Sequence, residues 1–203
     1  MKKLFTLVAV AMMAIGASAQ AIIYENDLSQ DASLWKEDGT YALWSQFDAS
    51  QTDGSVTKDD NGIAITVGIQ TGQLWQPQVE VTPLGAFELY QFDSYKIVIT
   101  AKYPADQAGK QIQLQLGNWD GNFQQPFEIN PTGDFQTDEF VFSDPAPDDR
   151  AGCHMLFQCG DVKGTTIVKK IEIWDLDAEP DDATAIKTLK NKAQNGVRYN
   201  LAG

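Results

Sequence analysis

Between Ala21 and Leu176 the chain alternates hydrophobic and polar positions in short runs. Ile63, Ile65 and Val67 alternate with Ala64, Thr66 and Gly68, and Val79 and Val81 with Gln78 and Glu80. Ile97 and Ile99 alternate with Val98 and Thr100, and Ile112, Leu114 and Leu116 with Gln111, Gln113 and Gln115. Phe140 and Phe142 mark a further run. Met155 and Phe157 alternate with His154, Leu156 and Gln158, and Ile167, Lys169, Ile171 and Ile173 read as one side of a last strand. Gly, Pro, Asp and Asn separate the runs. A period of two sends successive side chains to opposite faces of a strand, and no stretch sustains the helical period. About ten short strands at this spacing predict an all-β fold, a two-sheet β-sandwich jelly roll.

The two ends of the chain read differently. Lys2 and Lys3, the uncharged apolar run from Leu4 to Ile15 and the small residues Ala17-Ser18-Ala19 form a signal-peptide pattern over 1–19. The run is too short to span a bilayer, and no cysteine follows it to carry a lipid. The protein is therefore expected to be secreted or held at the cell surface, with the jelly-roll domain over 20–177. After Leu176 comes an acidic, proline-containing linker. Residues 183–203 then contain Lys187, Lys190, Lys192 and Arg198 and no acid, so 178–203 is set apart from the domain.

Composition narrows the partners. The 203 residues carry a formal net charge of −13, and cleavage after Ala19 would remove two lysines and no acid, making the rest more negative still. Such a chain repels phosphate backbones, which excludes nucleic acid as an expected partner. A single His leaves no room for a His-rich metal centre. No segment past the leader is apolar enough to insert in a membrane, and a monomer is expected. Cys153 and Cys159 bracket an alternating segment. On one strand they stand roughly 20 Å apart on the same side, too far for a disulfide, so both are expected as buried small hydrophobes.

The polar sides of the strands carry candidate chemistry. Gln76, Gln78 and Glu80 lie on one strand, Gln111, Gln113 and Gln115 on another, and Gln158 on a third. Exposed strand faces ordinarily favour Thr, Lys and Glu. An amide offers donors and an acceptor without a charge to desolvate, which matches a sugar hydroxyl. The alternative is a merely solvated glutamine surface. Trp44, Trp119 and Phe123 sit among polar residues and glycine, where a loop aromatic either stacks on a pyranose ring or folds over the core. Trp35, Trp75 and Trp174 share apolar strand positions and are expected in the core.

Two further chemistries have candidate residues in the sequence. Glu25, Asp27 and Asp175, near the first and last strands, could meet as oxygen ligands for a structural calcium ion; the other reading is a set of solvated acids. A jelly-roll glycoside hydrolase needs two carboxylates across a cleft. Glu172 and Asp175 point to opposite sides of a regular strand, and the glutamine face offers only Glu80. Cys153 and His154 are adjacent and also diverge. No catalytic residue is therefore assigned. A surface adhesion domain that binds protein would use an exposed aromatic patch equally well.

Several segments, taken in order, resemble the carbohydrate-binding modules of the family 4/9/22 (CenC-like) type. They are Tyr24-Glu-Asn-Asp-Leu28 with Trp35, Trp75-Gln-Pro-Gln-Val-Glu80, Tyr95-Lys-Ile-Val-Ile-Thr-Ala101, Phe157-Gln-Cys-Gly160 and Val168-Lys-Lys-Ile-Glu-Ile173. The resemblance covers about residues 21–176. It implies a jelly roll that binds soluble β-glucan or xylan along a cleft, with Gln76, Gln78, Gln111, Gln113 and Gln158 lining it. The family's Asp-Asn-Val in the closing strand is replaced here by Lys169-Lys170-Ile171. The tail Asn195–Gly203 resembles the start of the C-terminal sorting segment of exported Bacteroidetes proteins. The expectation is a secreted, non-catalytic polysaccharide-binding module. Trp44, Trp119 and Phe123 would stack on sugars, and Gln76, Gln78, Glu80, Gln111, Gln113, Gln115 and Gln158 would hydrogen-bond them.

Overall fold

The alternating runs form twelve strands in a computed structural model that describes residues 20–48, 51–143, 146 and 148–178. The expected signal peptide at 1–19 and the tail at 179–203 lie outside the described residues. The strands are β1 (Ala21–Asp27), β2 (Ser45–Gln46), β3 (Gly54–Asp59), β4 (Gly62–Val67), β5 (Gln78–Glu80) and β6 (Phe87–Leu89). They continue as β7 (Tyr95–Lys102), β8 (Gln111–Asn118), β9 (Gly121–Glu128), β10 (Gln136–Phe142), β11 (Arg150–Gln158) and β12 (Gly164–Asp175). The helical content of the described residues is one 3-10 turn, Ala32–Leu34.

All pairings are antiparallel and build two six-stranded sheets. The back sheet runs β10-β7-β12-β4-β3, with β1 sharing one edge of the long β12 with β4. The front sheet runs β2-β5-β11-β8-β9, with β6 also paired to β11. Ile63, Ile65, Ile97, Ile99, Ile171 and Ile173 of the back sheet share one apolar cluster with Val79, Val81, Ile112, Leu114, Leu116, Met155 and Phe157 of the front sheet. Each such side chain gains about 1.5–3 kcal/mol on full burial, which sets the pairing of the inner faces. The alternation therefore leaves the opposite residues of every strand facing outward, and the fold is the expected all-β sandwich.

The last strand departs from the expected parity. Thr166 and Val168 are buried in its first half, and Ile171 and Ile173 in its second. A register shift between Val168 and Lys170 inserts one extra residue, so Ile167 and Lys169 do not share the inner side of Ile171. A β-bulge does this because it sets two residues against one on the partner strand. Cys153 and Cys159 are free and buried, as the strand spacing requires. Burial pushes the Cys159 thiol up to about 12.

The stretch after β8 is not a loop, as the Trp119 and Phe123 reading assumed. Asn118 pairs with Gly121, so β8 and β9 form a hairpin closed by Trp119-Asp120. The Asn118 side-chain oxygen accepts from the backbone N–H of Asp120 at 3.0 Å and Gly121 at 3.1 Å, which fixes the turn. Gly117, at φ +138°, lies so close to the Gly121 carbonyl that a Cβ there would collide with it. Pro126 is tolerated in β9 because this strand is the edge of the sheet.

Candidate functional site

The outer face of the front sheet collects polar residues from five strands into rows. Register places Gln46 beside Gln78, Gln78 beside Gln158, and Gln158 beside Gln113. The next row sets Glu80 beside Leu156, Leu156 beside Gln115, and Gln115 beside Gln124. The third sets His154 beside Gly117 and Gly117 beside Asn122.

The amides of the first two rows bond to one another. Gln78 Nε2 donates to Gln46 Oε1 at 3.2 Å, and Gln158 Nε2 donates to Gln78 Oε1 at 2.9 Å and Gln115 Oε1 at 3.1 Å. Gln113 Nε2 donates to Gln158 Oε1 at 2.6 Å and Gln124 Oε1 at 2.9 Å. Gln124 Nε2 in turn donates to Gln115 Oε1 at 2.8 Å and Asn122 Oδ1 at 3.2 Å. Gln158, only 1% exposed, is the hub of this network, with its oxygen and both amide hydrogens engaged. Among the described residues, Gln115 Nε2 and Gln46 Nε2 donate to no protein group, and Gln113 Oε1 accepts from none. Most of the amides are thus spent on holding the array rigid, and a few polar atoms on it remain open.

The two tryptophans close one end of the face. Trp44, 38% exposed, and Trp119, 59% exposed, meet edge to face with ring centroids 5.9 Å apart and planes at 82°. Trp119 also packs on the His154 ring at 4.5 Å. His154 Nδ1 lies 2.7 Å from Glu80 Oε1, and the other Glu80 oxygen accepts from the Trp44 backbone N–H at 3.3 Å. A carboxylate only accepts, so Nδ1 carries the proton of that bond. Both Glu80 oxygens are therefore engaged by protein, which differs from its expected role toward ligand hydroxyls.

The other expected site residues are placed as follows. Gln78, Gln113, Gln115 and Gln158 lie in the network. Gln111 lies beyond it, opposite Glu128, with its backbone N–H donating to Asp161. Gln76 sits in the turn before β5, buried, with its carbonyl accepting from the Thr71 hydroxyl. Phe123 points away from this face. It pairs with Leu116 on the inner side of β9 and packs against the core beneath the Arg150 guanidinium. Trp75 is 44% exposed rather than core, because it precedes β5 in a turn, where strand parity does not apply. Trp35 packs against the core as expected, whereas Trp174 lies half-buried on the outer side of β12 with Lys96 Nζ 4.9 Å from its ring centroid, because it alternates with the buried Ile173 and Asp175.

Four contributors were missed from sequence. Gln46 stands on a two-residue strand too short to show a period. Asn122 and Gln124 lie on β9, whose alternation is broken by Gln125 and Pro126. The signal available was the Asp120-Gly121 dipeptide, a sequence mark of a hairpin. His154 was read only as a candidate partner of Cys153.

The expected calcium ligands do not converge. Glu25 lies opposite Glu172, Asp27 opposite Lys170, and Asp175 opposite Ala21 at the far end of β1, about 20 Å from Asp27. Glu25 bonds Lys170 Nζ at 2.9 Å, and Asp27 accepts from Ser29. No group of three or more His, Cys, Asp or Glu among the described residues could hold a metal ion. Asp175 instead joins Asp93 and Asp177 at one end of the back sheet. There burial, followed by the charges of Asp175 and Asp177, raises Asp93 to about 6. Glu172 and Asp175 do fall on opposite sides of β12, the former exposed in part and the latter buried. Among the described residues, no helix is long and apolar enough to cross a membrane.

No protein-family model matches the sequence, and no curated protein matches it. Solved structures do. The structure described as BiXyn10A CBM1 APO superposes with a TM-score of 0.58 at 22% identity, covering 75% of this chain and 97% of its own. One described as CBM4 structure and function gives a TM-score of 0.46 at 20% identity, covering 75% of this chain and 94% of its own. The CBM22-1 xylan-binding domain of Paenibacillus barcinonensis Xyn10C gives 0.44 at 13% identity, covering 80% and 99%. On the first of these likenesses, the chain shares the jelly-roll β-sandwich fold of BiXyn10A CBM1.

Proposed function

We propose that this chain is a secreted, non-catalytic module that binds a neutral polysaccharide, β-glucan or xylan, on the outer face of its front sheet. One observation carries the reading: a contiguous, uncharged amide network ends against two partly exposed tryptophans in mutual contact. Indole faces stack on the C–H faces of pyranose rings, and the open Gln115, Gln46 and Gln113 atoms meet hydroxyls. The network costs little to dehydrate because it carries no net charge and is already hydrogen-bonded. Its rigidity also limits the side-chain entropy lost on binding. Affinity then comes from many weak contacts along the chain. Secretion is supported by the leader pattern of residues 1–19.

The same face argues against hydrolysis. Glycosidases place an acid and a second carboxylate across the scissile bond. Here Glu80 is tied to His154 and to the Trp44 backbone. Affinity electrophoresis against soluble β-glucans, xylans and mannans tests the proposal. Retardation by a glucan or a xylan is expected, with no reducing-sugar release from any polymer. Unretarded migration through every gel overturns it, and sugar release would favour a hydrolase.

A further inference from the structure

We infer that His154 and Glu80 are positioning residues that lock Trp44 and Trp119 into a single aromatic unit; this rests on the polysaccharide-binding reading for its purpose, though not for its geometry.

The four residues close a ring of contacts, three of its links made by side chains and the fourth through the Trp44 backbone. Glu80 touches His154 at 2.7 Å, His154 packs on Trp119 at 4.5 Å, and Trp119 packs on Trp44 at 5.9 Å. Trp44 returns to Glu80 through two bonds of its backbone, and Tyr41 adds a third to the same residue. The Trp44 N–H donates to Glu80 Oε2 at 3.3 Å, and the Glu80 N–H donates to the Trp44 carbonyl at 2.8 Å. The Tyr41 hydroxyl donates to the Glu80 carbonyl at 3.0 Å, fixing the same segment three residues earlier. Glu80 therefore holds the chain that carries Trp44, and His154 holds the hairpin tip that carries Trp119.

Three details favour positioning over simple packing. Trp119 sits in a two-residue turn, whose own backbone does not fix where its indole lies. The position beside His154 is Gly117, which has no side chain, so the support against Trp119 on that row comes from the imidazole. His154 Nε2 is buried and, among the described residues, has no hydrogen-bond partner. A residue kept only to fill space would not carry an unmet ring nitrogen and a buried carboxylate partner, since both are costly to dehydrate. The pair earns its place by joining two aromatics that come from separate segments of the chain.

Two indoles this close couple electronically and give an exciton couplet in circular dichroism, assignable here by its loss in Trp44→Phe. The test compares wild type with His154→Gln and Glu80→Gln in three measurements: the couplet, cooperative melting, and retention in polysaccharide gels. In each variant that melts cooperatively, we expect the couplet to collapse and retention to fall at least tenfold. A cooperatively folded variant that keeps the wild-type couplet overturns the positioning role. The couplet decides this point even if wild type binds none of the polymers, an outcome that would sink the binding reading alone.

Discussion

The two outer faces of the sandwich are built from the same alternating strands yet solve different problems. The back face is charged and pairwise: Lys96 with Glu139, Lys170 with Glu25 and Glu172, and Thr100 with Thr137. Its aromatics lie under cations, with Lys96 over Trp174 and Lys169 over Phe135. Such groups stay hydrated, and partial exposure makes each pair worth little. The front face bonds its amides into one connected array and buries the hydrogen-bonded His154–Glu80 pair beneath tryptophan. Fully hydrogen-bonded amides and indoles can lose water cheaply, whereas separated charges cannot. The contrast teaches that a strand face is made ready for a ligand by satisfying its polar groups internally and leaving a few of them open.

The contrast is tested most severely by a matched pair of substitutions. Trp119→Ala should weaken polysaccharide retention by about ten- to a hundredfold, as loss of a central aromatic anchor does. Its melting temperature should barely move, because the side chain is mostly exposed at a turn. Trp174→Ala on the back face should leave retention unchanged. Equal losses in affinity electrophoresis would abolish the distinction between the faces.

A smaller effect is expected at the hub of the network. Gln158→Ala leaves partners on Gln78, Gln113 and Gln115 unmatched in a buried setting, costing about 1–3 kcal/mol. For a domain of this size each kcal/mol lowers the melting temperature by about 2–4 °C. Calorimetry that finds no destabilisation would mean the amides are merely solvated.

The smallest effect concerns the acidic end of the back sheet. Asp93 is raised from 3.8 to about 6, so the folded state holds its proton more tightly than the unfolded state does. Stability should therefore fall as pH rises through that window. Asp93→Asn should melt slightly higher than wild type above pH 6, with the advantage vanishing below pH 4. A difference that is constant with pH would show that this cluster does not repel.

The sequence carries most of the strands and the face of most of their residues, because alternation is written in neighbouring residues and apolar burial enforces it. It exposed the glutamines of β5, β8 and β11, the loop setting of Trp44 and the separation of the two thiols. It failed where local regularity fails. The bulge in β12 reversed parity after Val168, Trp75 fell just outside its strand, and Pro126 disguised β9. Phe123 therefore reads as a loop aromatic, and Gln124 is overlooked. Tertiary structure alone decided which polar residues meet. Gln158 bonds Gln113 and Gln78 from 45 and 80 positions away, and Glu80 reaches His154 across 74. Only strand register sets such pairings, and register is fixed by the fit of the whole inner core and not by any one segment.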